Sequence, residues 1–174
     1  MWRRSVGSVA LGPSATAAGL LVAADGDLAV RDPDTGDRIR VLDEYGGEAH
    51  GVAVADGTAY WLTDEHLSAV AVADGTEEWR LDAEGCQEGL CVGRETVVAP
   101  VKYEKFDLEV AWPTVAAFDR DTGDVRWYYH IDGFDVTFTT PPVLVDGAVY
   151  VTANTIDAVG ALGDVPQSEE SGLF

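Results

Sequence analysis

The sequence predicts an all-β chain of small four-stranded antiparallel sheets, set side by side like the blades of a propeller. Three observations carry that expectation. Short runs rich in valine, threonine, tyrosine and tryptophan alternate with glycine turns, among them Asp25-Gly26, Asp56-Gly57 and Asp146-Gly147. Few segments show the spacing of an amphipathic helix. A strand, glycine turn, strand unit also recurs along the chain at near-constant phase.

The clearest copy of that unit runs from Val115 to Trp127, with looser copies from Ala69 to Trp79 and from Leu28 to Arg40. Four residues after the turn glycines Gly36, Gly75 and Gly123 stand Arg40, Trp79 and Trp127, and Trp2 fits the same phase. The steps between these positions are 38, 39 and 48 residues. Periods near 40 belong to blades of four strands, here A to D from the axis outward. Three full blades are expected at 12–42, 50–81 and 88–131, with partial ones at 1–6 and 139–164 and an acidic tail at 166–174. In the first blade, B at Leu20–Ala24 turns through Asp25-Gly26 into C at Asp27–Asp32, and D follows at Arg38–Leu42. In the second, A at Gly51–Ala55 turns through Asp56-Gly57 into B at Thr58–Thr63, then C at Leu67–Ala73 and D at Glu77–Leu81. The third has A at Leu90–Gly93, B at Thr96–Val101, C at Thr114–Asp119 and D at Asp124–Ile131. The fourth has A at Pro142–Val145 and B at Ala148–Ala153, then fades toward Gly160 and Gly163. Asp-Gly suits two-residue hairpin turns because both central residues need positive φ. In Asp119-x-x-Thr122-Gly123 the side-chain oxygens are placed to accept turn N–H groups.

Composition bounds the function. The chain has 174 residues, 47% of them hydrophobic, which suffices for a sizeable core. Its net charge of −20 comes from 31 acidic against 11 basic side chains. Such a surface lacks the basic footprint that nucleic acid or an anionic membrane requires. Only Lys102 and Lys105 are lysine. An acidic, lysine-poor composition of this kind resembles proteins of salt-loving archaea, where concentrated salt screens the mutual repulsion of the acids. No stretch approaches the roughly 18 apolar residues of a membrane helix. Arg3-Arg4 pairs arginines as a twin-arginine export signal does, but Ser14, Ala15 and Thr16 dilute the apolar stretch behind it, and the repeat phase explains Trp2 better.

Chemistry-bearing residues are sparse. Cys86 and Cys91 have no nearby histidine and do not make a four-ligand zinc site; a disulfide and two separate thiols both fit the loop that holds them. His50, His66 and His130 have no metal-pair spacing and read as surface or capping residues. There is no Gly-x-Ser-x-Gly elbow and no phosphate-binding glycine loop. Asp32-x-Asp34-x-Gly36 and Asp119-x-Asp121-x-Gly123 space oxygens as calcium loops do, but both coincide with a hairpin turn and lack the distal glutamate. No catalytic residue and no metal ligand is assigned. The third blade carries a longer B–C connection, Lys102 to Pro113, which alternates aromatic and charged residues. Tyr103, Lys105, Phe106 and Trp112 make it the candidate binding loop, since long loops on rigid scaffolds concentrate function.

The phrase Ala117-x-Asp119-x-x-Thr122-Gly123-x-x-x-Trp127 resembles the tryptophan-docking motif of PQQ-like repeat proteins. The second blade keeps Ala69, Gly75 and Trp79 but has Ala71 and Asp74 in place of the aspartate and threonine; the first keeps Asp32, Thr35 and Gly36 but ends in Arg40. The resemblance covers nearly the whole chain and implies that Trp79, Trp127 and Trp2 lie between an alanine of their own motif and a glycine peptide of the next blade, with Arg40 substituting on the same surface. The family divides into quinone-dependent dehydrogenases and non-enzymatic scaffolds such as outer-membrane assembly lipoproteins. It favours an extracytoplasmic location. The adjacent cysteines of the dehydrogenases are missing here, so no residue is assigned to PQQ or calcium and no cofactor is expected. The resulting expectation is a binding or scaffold module whose partner is a protein or the remaining blades. A dehydrogenase fragment and a truncated remnant are the alternatives. A partial arc, a small four-bladed ring and two chains closing an eight-bladed ring as a homodimer all remain open.

Overall fold

The structure is a computed structural model of the chain and describes residues 3, 5, 11–44, 47–86, 89–103, 114–130, 141–153 and 158–163. The described residues form four separate antiparallel sheets. The first contains β1 (Ser14–Thr16), β2 (Gly19–Ala24), β3 (Asp27–Arg31) and β4 (Arg38–Glu44), paired in chain order. The second contains β5 (Ala49–Ala55), β6 (Thr58–Thr63), β7 (Leu67–Ala71) and β8 (Glu77–Leu81). The third is built from β9 (Ala83–Gly85), β10 (Cys91–Val92), β11 (Thr96–Tyr103), β12 (Thr114–Asp119) and β13 (Val125–His130). The fourth is β14 (Val143–Val145), β15 (Ala148–Ala153) and β16 (Ala158–Gly163). The innermost strands meet in sequence, β1 with β5, β5 with β10 and β10 with β14. The sheets are therefore stacked as successive blades around a common axis, and the fold is a partial propeller.

Every hairpin is local, and its turn chemistry was written in the sequence. Among the described residues, the non-glycine positions with positive φ are Asp25, Asp56 and Asp146, at 53°, 49° and 49°, and each is followed by a glycine at 82° to 88°. Two consecutive left-handed residues define the hairpin turn that matches strand twist. The C–D turns use a second device three times. The N–H of Gly36, Gly75 and Gly123 donates to the carbonyl four residues back, at 2.8, 2.8 and 2.9 Å, with φ of 74°, 81° and 76°.

Two strands differ from expectation. The residues that seemed to fade after β15 form a third strand, β16, paired with β15 from Ala148↔Gly163 to Ala153↔Ala158. Alanine and glycine give a weak strand signal, and pairing to β15 supplies what propensity does not. In the third blade, β11 runs on to Tyr103, because β9 pairs with its far end from Val101↔Gly85 to Tyr103↔Ala83. Trp2 and the acidic tail lie outside the described residues.

No blade has a core of its own. Strand side chains alternate between two faces, and the three apolar clusters each lie where faces of two successive blades meet. Leu21, Ala23, Leu28 and Val30 of blade one meet Ala59, Trp61, Val70 and Val72 of blade two. Tyr60, Leu62, Leu67 and Ala69 of blade two meet Val97, Ala99, Ala116 and Phe118 of blade three. Val98, Val115 and Ala117 of blade three meet Val149 and Val151 of blade four. Each blade thus has a forward face toward the next blade and a rear face toward the preceding one. The fully buried Trp61 is the largest side chain of the first interface.

Turn strain and blade contact can be separated experimentally. A Cβ on Gly57 meets nothing within 4 Å, whereas one on Gly123 comes within 3.0 Å of the Trp79 ring. Gly57→Ala is expected to lower unfolding free energy by about 1 kcal/mol through positive φ alone. Gly123→Ala is expected to cost at least about 1 kcal/mol more through overpacking, measured by urea unfolding.

Candidate interaction surface

The motif residues converge where the outer strand of one blade meets the C–D turn of the next. Trp79 sits on β8 in register with Ala69. Its ring packs over Gly123 of blade three, and its Nε1 donates to the Arg120 carbonyl at 3.0 Å. Glycine is required there twice, by its φ and by the closeness of the indole. Tyr60 lies beside the indole, ring centroids 6.0 Å apart. The Arg120 guanidinium reaches back across the seam, donating through Nε to the Tyr60 hydroxyl at 2.9 Å and through NH2 to Asp56 at 2.6 Å.

Arg40 occupies the corresponding position on β4, in register with Val30. Its NH1 donates to the carbonyls of Val72, at 3.4 Å, and Ala73 in the C–D turn of blade two. Val72 stands where Arg120 stands one blade later, so arginine and tryptophan address the same carbonyl. Trp127, in register with Ala117, is half-buried against the cluster shared by blades three and four.

The turn residues are held by the backbone. Asp119 Oδ1 accepts the N–H groups of Asp121 and Thr122 at 2.9 and 3.1 Å, and Oδ2 accepts the Arg126 NH2 at 2.8 Å. The bond from Arg126, reinforced by those two N–H groups, lowers the Asp119 pKa to about 2. Asp32 accepts from Asp34 and Thr35, both at 2.8 Å, and its pKa is lowered too. In blade two, Asp74 accepts the Thr76 N–H at 2.9 Å, taking over the part that Thr122 plays for Asp124. Asp32 and Asp119, which open the calcium-like spacings, are thus engaged with turn N–H groups, and no cluster of three or more potential metal-ligating side chains occurs among the described residues.

A polar cluster that sequence reading missed bridges blades one and two at the opposite end. His66 is 4% exposed, not at the surface as its place in a turn suggested. Its Nδ1 lies 3.1 Å from Thr63 Oγ1 and its Nε2 lies 3.0 Å from Asp43 Oδ2. Arg80 also reaches Asp43, at 3.1 Å. Burial pushes the Asp43 carboxyl up, but the bonds from His66 and Arg80 outweigh it and leave the pKa lowered. Asp43 lies beyond the D strand expected for blade one, so no sequence pattern linked it to His66. Cys86 and Cys91 are not joined in a disulfide, and burial pushes the Cys91 thiol up to about 11. Of the candidate binding loop, Tyr103 closes β11, and Lys102 at its base lies 3.8 Å from Glu84. Lys105, Phe106 and Trp112 lie outside the described residues.

Among the described residues, blade four carries exposed apolar side chains. Val143, Val145 and Tyr150 on blade four are 53%, 48% and 39% exposed. They share a face, since Val143 pairs with Tyr150 and Val145 with Ala148.

A family profile described as outer membrane protein assembly factor BamB matches residues 1–171. The chain belongs to this family. No curated protein matches it. Among solved structures, the BamB of Moraxella catarrhalis aligns at 16% identity with a TM-score of 0.66, covering 93% of this chain and 49% of that one. The chain thus spans about half the length of that BamB. The computationally designed Ika4 protein aligns at 18% identity and a TM-score of 0.71, covering 94% of this chain and 95% of Ika4. A europium-containing methanol dehydrogenase aligns at 19% identity and a TM-score of 0.55, over 75% of this chain and 26% of the enzyme. At these identities the likeness is one of fold, and the family profile over residues 1–171 places the chain among PQQ-like repeat propellers.

Two outcomes follow from this geometry. Trp79→Ala is expected to lower stability by about 3–5 kcal/mol, and Trp127→Ala, at a less buried position, by less; denaturant midpoints measure both. A carboxylate held below its unfolded pKa stabilises above that value and loses the contribution as pH falls toward the folded one. Between pH 4 and 2, the wild type should therefore lose more stability than Asp119→Asn, read from urea midpoints against pH.

Proposed function

We propose that this BamB-family chain is a non-catalytic propeller module that binds or scaffolds a protein partner. The observation that carries the reading is the use made of the repeat residues. Trp79, Gly123, Arg120 and Arg40 meet across blade seams, and Asp32, Asp74 and Asp119 hold their own turns. We assign Ala69, Gly75, Trp79, Ala117, Asp119, Thr122, Gly123 and Trp127 to blade docking. The family's description as an assembly factor favours a protein as the ligand. Its contact is best sought at the long B–C connection of blade three, with Tyr103, Lys105, Phe106 and Trp112, whose base is stiffened by the β9–β11 pairing.

The fold likeness to methanol dehydrogenase supplies the competing reading, a piece of a PQQ-dependent enzyme. With PQQ, calcium, an alcohol and a dye acceptor, the chain is expected to reduce no more dye than a quinone-free control. Quinone-dependent dye reduction would replace the scaffold reading. A chain that precipitates at once even in molar salt would point instead to a remnant without function.

A further inference from the structure

The open face of blade four has a buried counterpart in blade two. The segment Asp146-Gly147-Ala148-Val149-Tyr150 repeats Asp56-Gly57-Thr58-Ala59-Tyr60, with the same turn geometry and the same pairing of the A and B strands. In blade two this unit is covered by blade three. Tyr60 is only 2% exposed, and Asp56 and the Tyr60 hydroxyl both accept from Arg120. In blade four Tyr150 is 39% exposed, and no arginine reaches Asp146 or Tyr150 among the described residues. Among the described residues, the acceptor pair of a blade seam is present without its donor.

An arginine donor lies on the rear face of blade one, at Arg31, two residues before Pro33, which holds the Arg120 position in that blade. A cavity of about 250 Å³ there is lined by Val22, Ala24 and Ala29, by Arg31, and by Asp25, Asp27 and Arg38, with Arg38 held 3.5 Å from Asp27. Arg31 donates through NH1 to the Gly36 carbonyl, while its buried Nε has no acceptor. Apolar side chains beside an arginine are also what blade three presents to blade two, as Val97, Ala99, Ala116, Phe118 and Arg120.

We propose that the open face of blade four docks onto the rear face of blade one in a second copy of this chain. Val143, Val145 and Tyr150 then fill the blade-one groove, and Asp146 and the Tyr150 hydroxyl accept from Arg31. With a half-turn between copies, the contact is made twice and joins two copies about a two-fold axis, covering both faces. Each copy carries −20, and the dimer therefore strengthens with salt.

Sedimentation velocity of the full chain, at low salt and at about 2 M KCl, where the screening length falls below about 3 Å, tests this. The wild type is expected to form a dimer that tightens with salt. Val143→Asp and Tyr150→Asp should each raise the dissociation constant at least about tenfold, as the loss of a buried interface anchor does, while Ile39→Asp, at an exposed site on β4, leaves it unchanged. Asp146→Lys, at a surface turn, should weaken the dimer, and adding Arg31→Glu should restore it. A wild type that stays monomeric at every concentration and salt level overturns the proposal, as does a dimer indifferent to Val143→Asp, Tyr150→Asp and Asp146→Lys. A monomer destabilised by Tyr150→Asp also overturns it, because the face would then be closed within one chain. None of these outcomes bears on the quinone assay.

Discussion

The structure depends on one contact between neighbouring sheets, an outer-strand side chain laid over the C–D turn of the next blade. At Trp79 the contact combines an indole face on Gly123 with an N–H donated to the Arg120 carbonyl. The turn glycine serves two ends at once. Its left-handed φ closes the hairpin, and its missing Cβ leaves room for the ring. Because the three apolar clusters each lie between two blades, a single sheet has nothing to bury its faces against. Stability is then a sum over seams rather than a property of any one blade, as in other repeat arrays.

The repeats hold to a geometry more strictly than to residue types. Arg40 replaces tryptophan and reaches the same carbonyl position, Val72, through a guanidinium instead of an indole N–H. Asp74 replaces threonine and accepts the same N–H two residues on. Each exchange keeps a donor or acceptor where the backbone needs one, since an unpaired polar group at a seam costs more than the bond itself contributes. Arg40 covers less apolar area than an indole, and the largest buried side chain of that seam is Trp61.

The acidic composition has a structural share. Asp32, Asp74 and Asp119 lie in C–D turns and accept backbone N–H groups, and Asp56 and Asp43 meet Arg120 and Arg80 across seams. At Asp32, Asp43, Asp74 and Asp119, oriented N–H groups or a guanidinium lower the carboxyl pKa.

The sequence by itself determined the hairpins and the fold class. Asp-Gly pairs fix φ locally, and period-two alternation fixes which residues share a face, so both can be read without knowing what lies alongside. Only the tertiary structure decided which faces meet. His66 is buried because Asp43, 23 residues earlier, lies across a seam. Likewise β16 is a strand because β15 pairs with it. Such contacts leave no pattern along the chain, because the energy that selects them comes from residues brought together only when the blades stack.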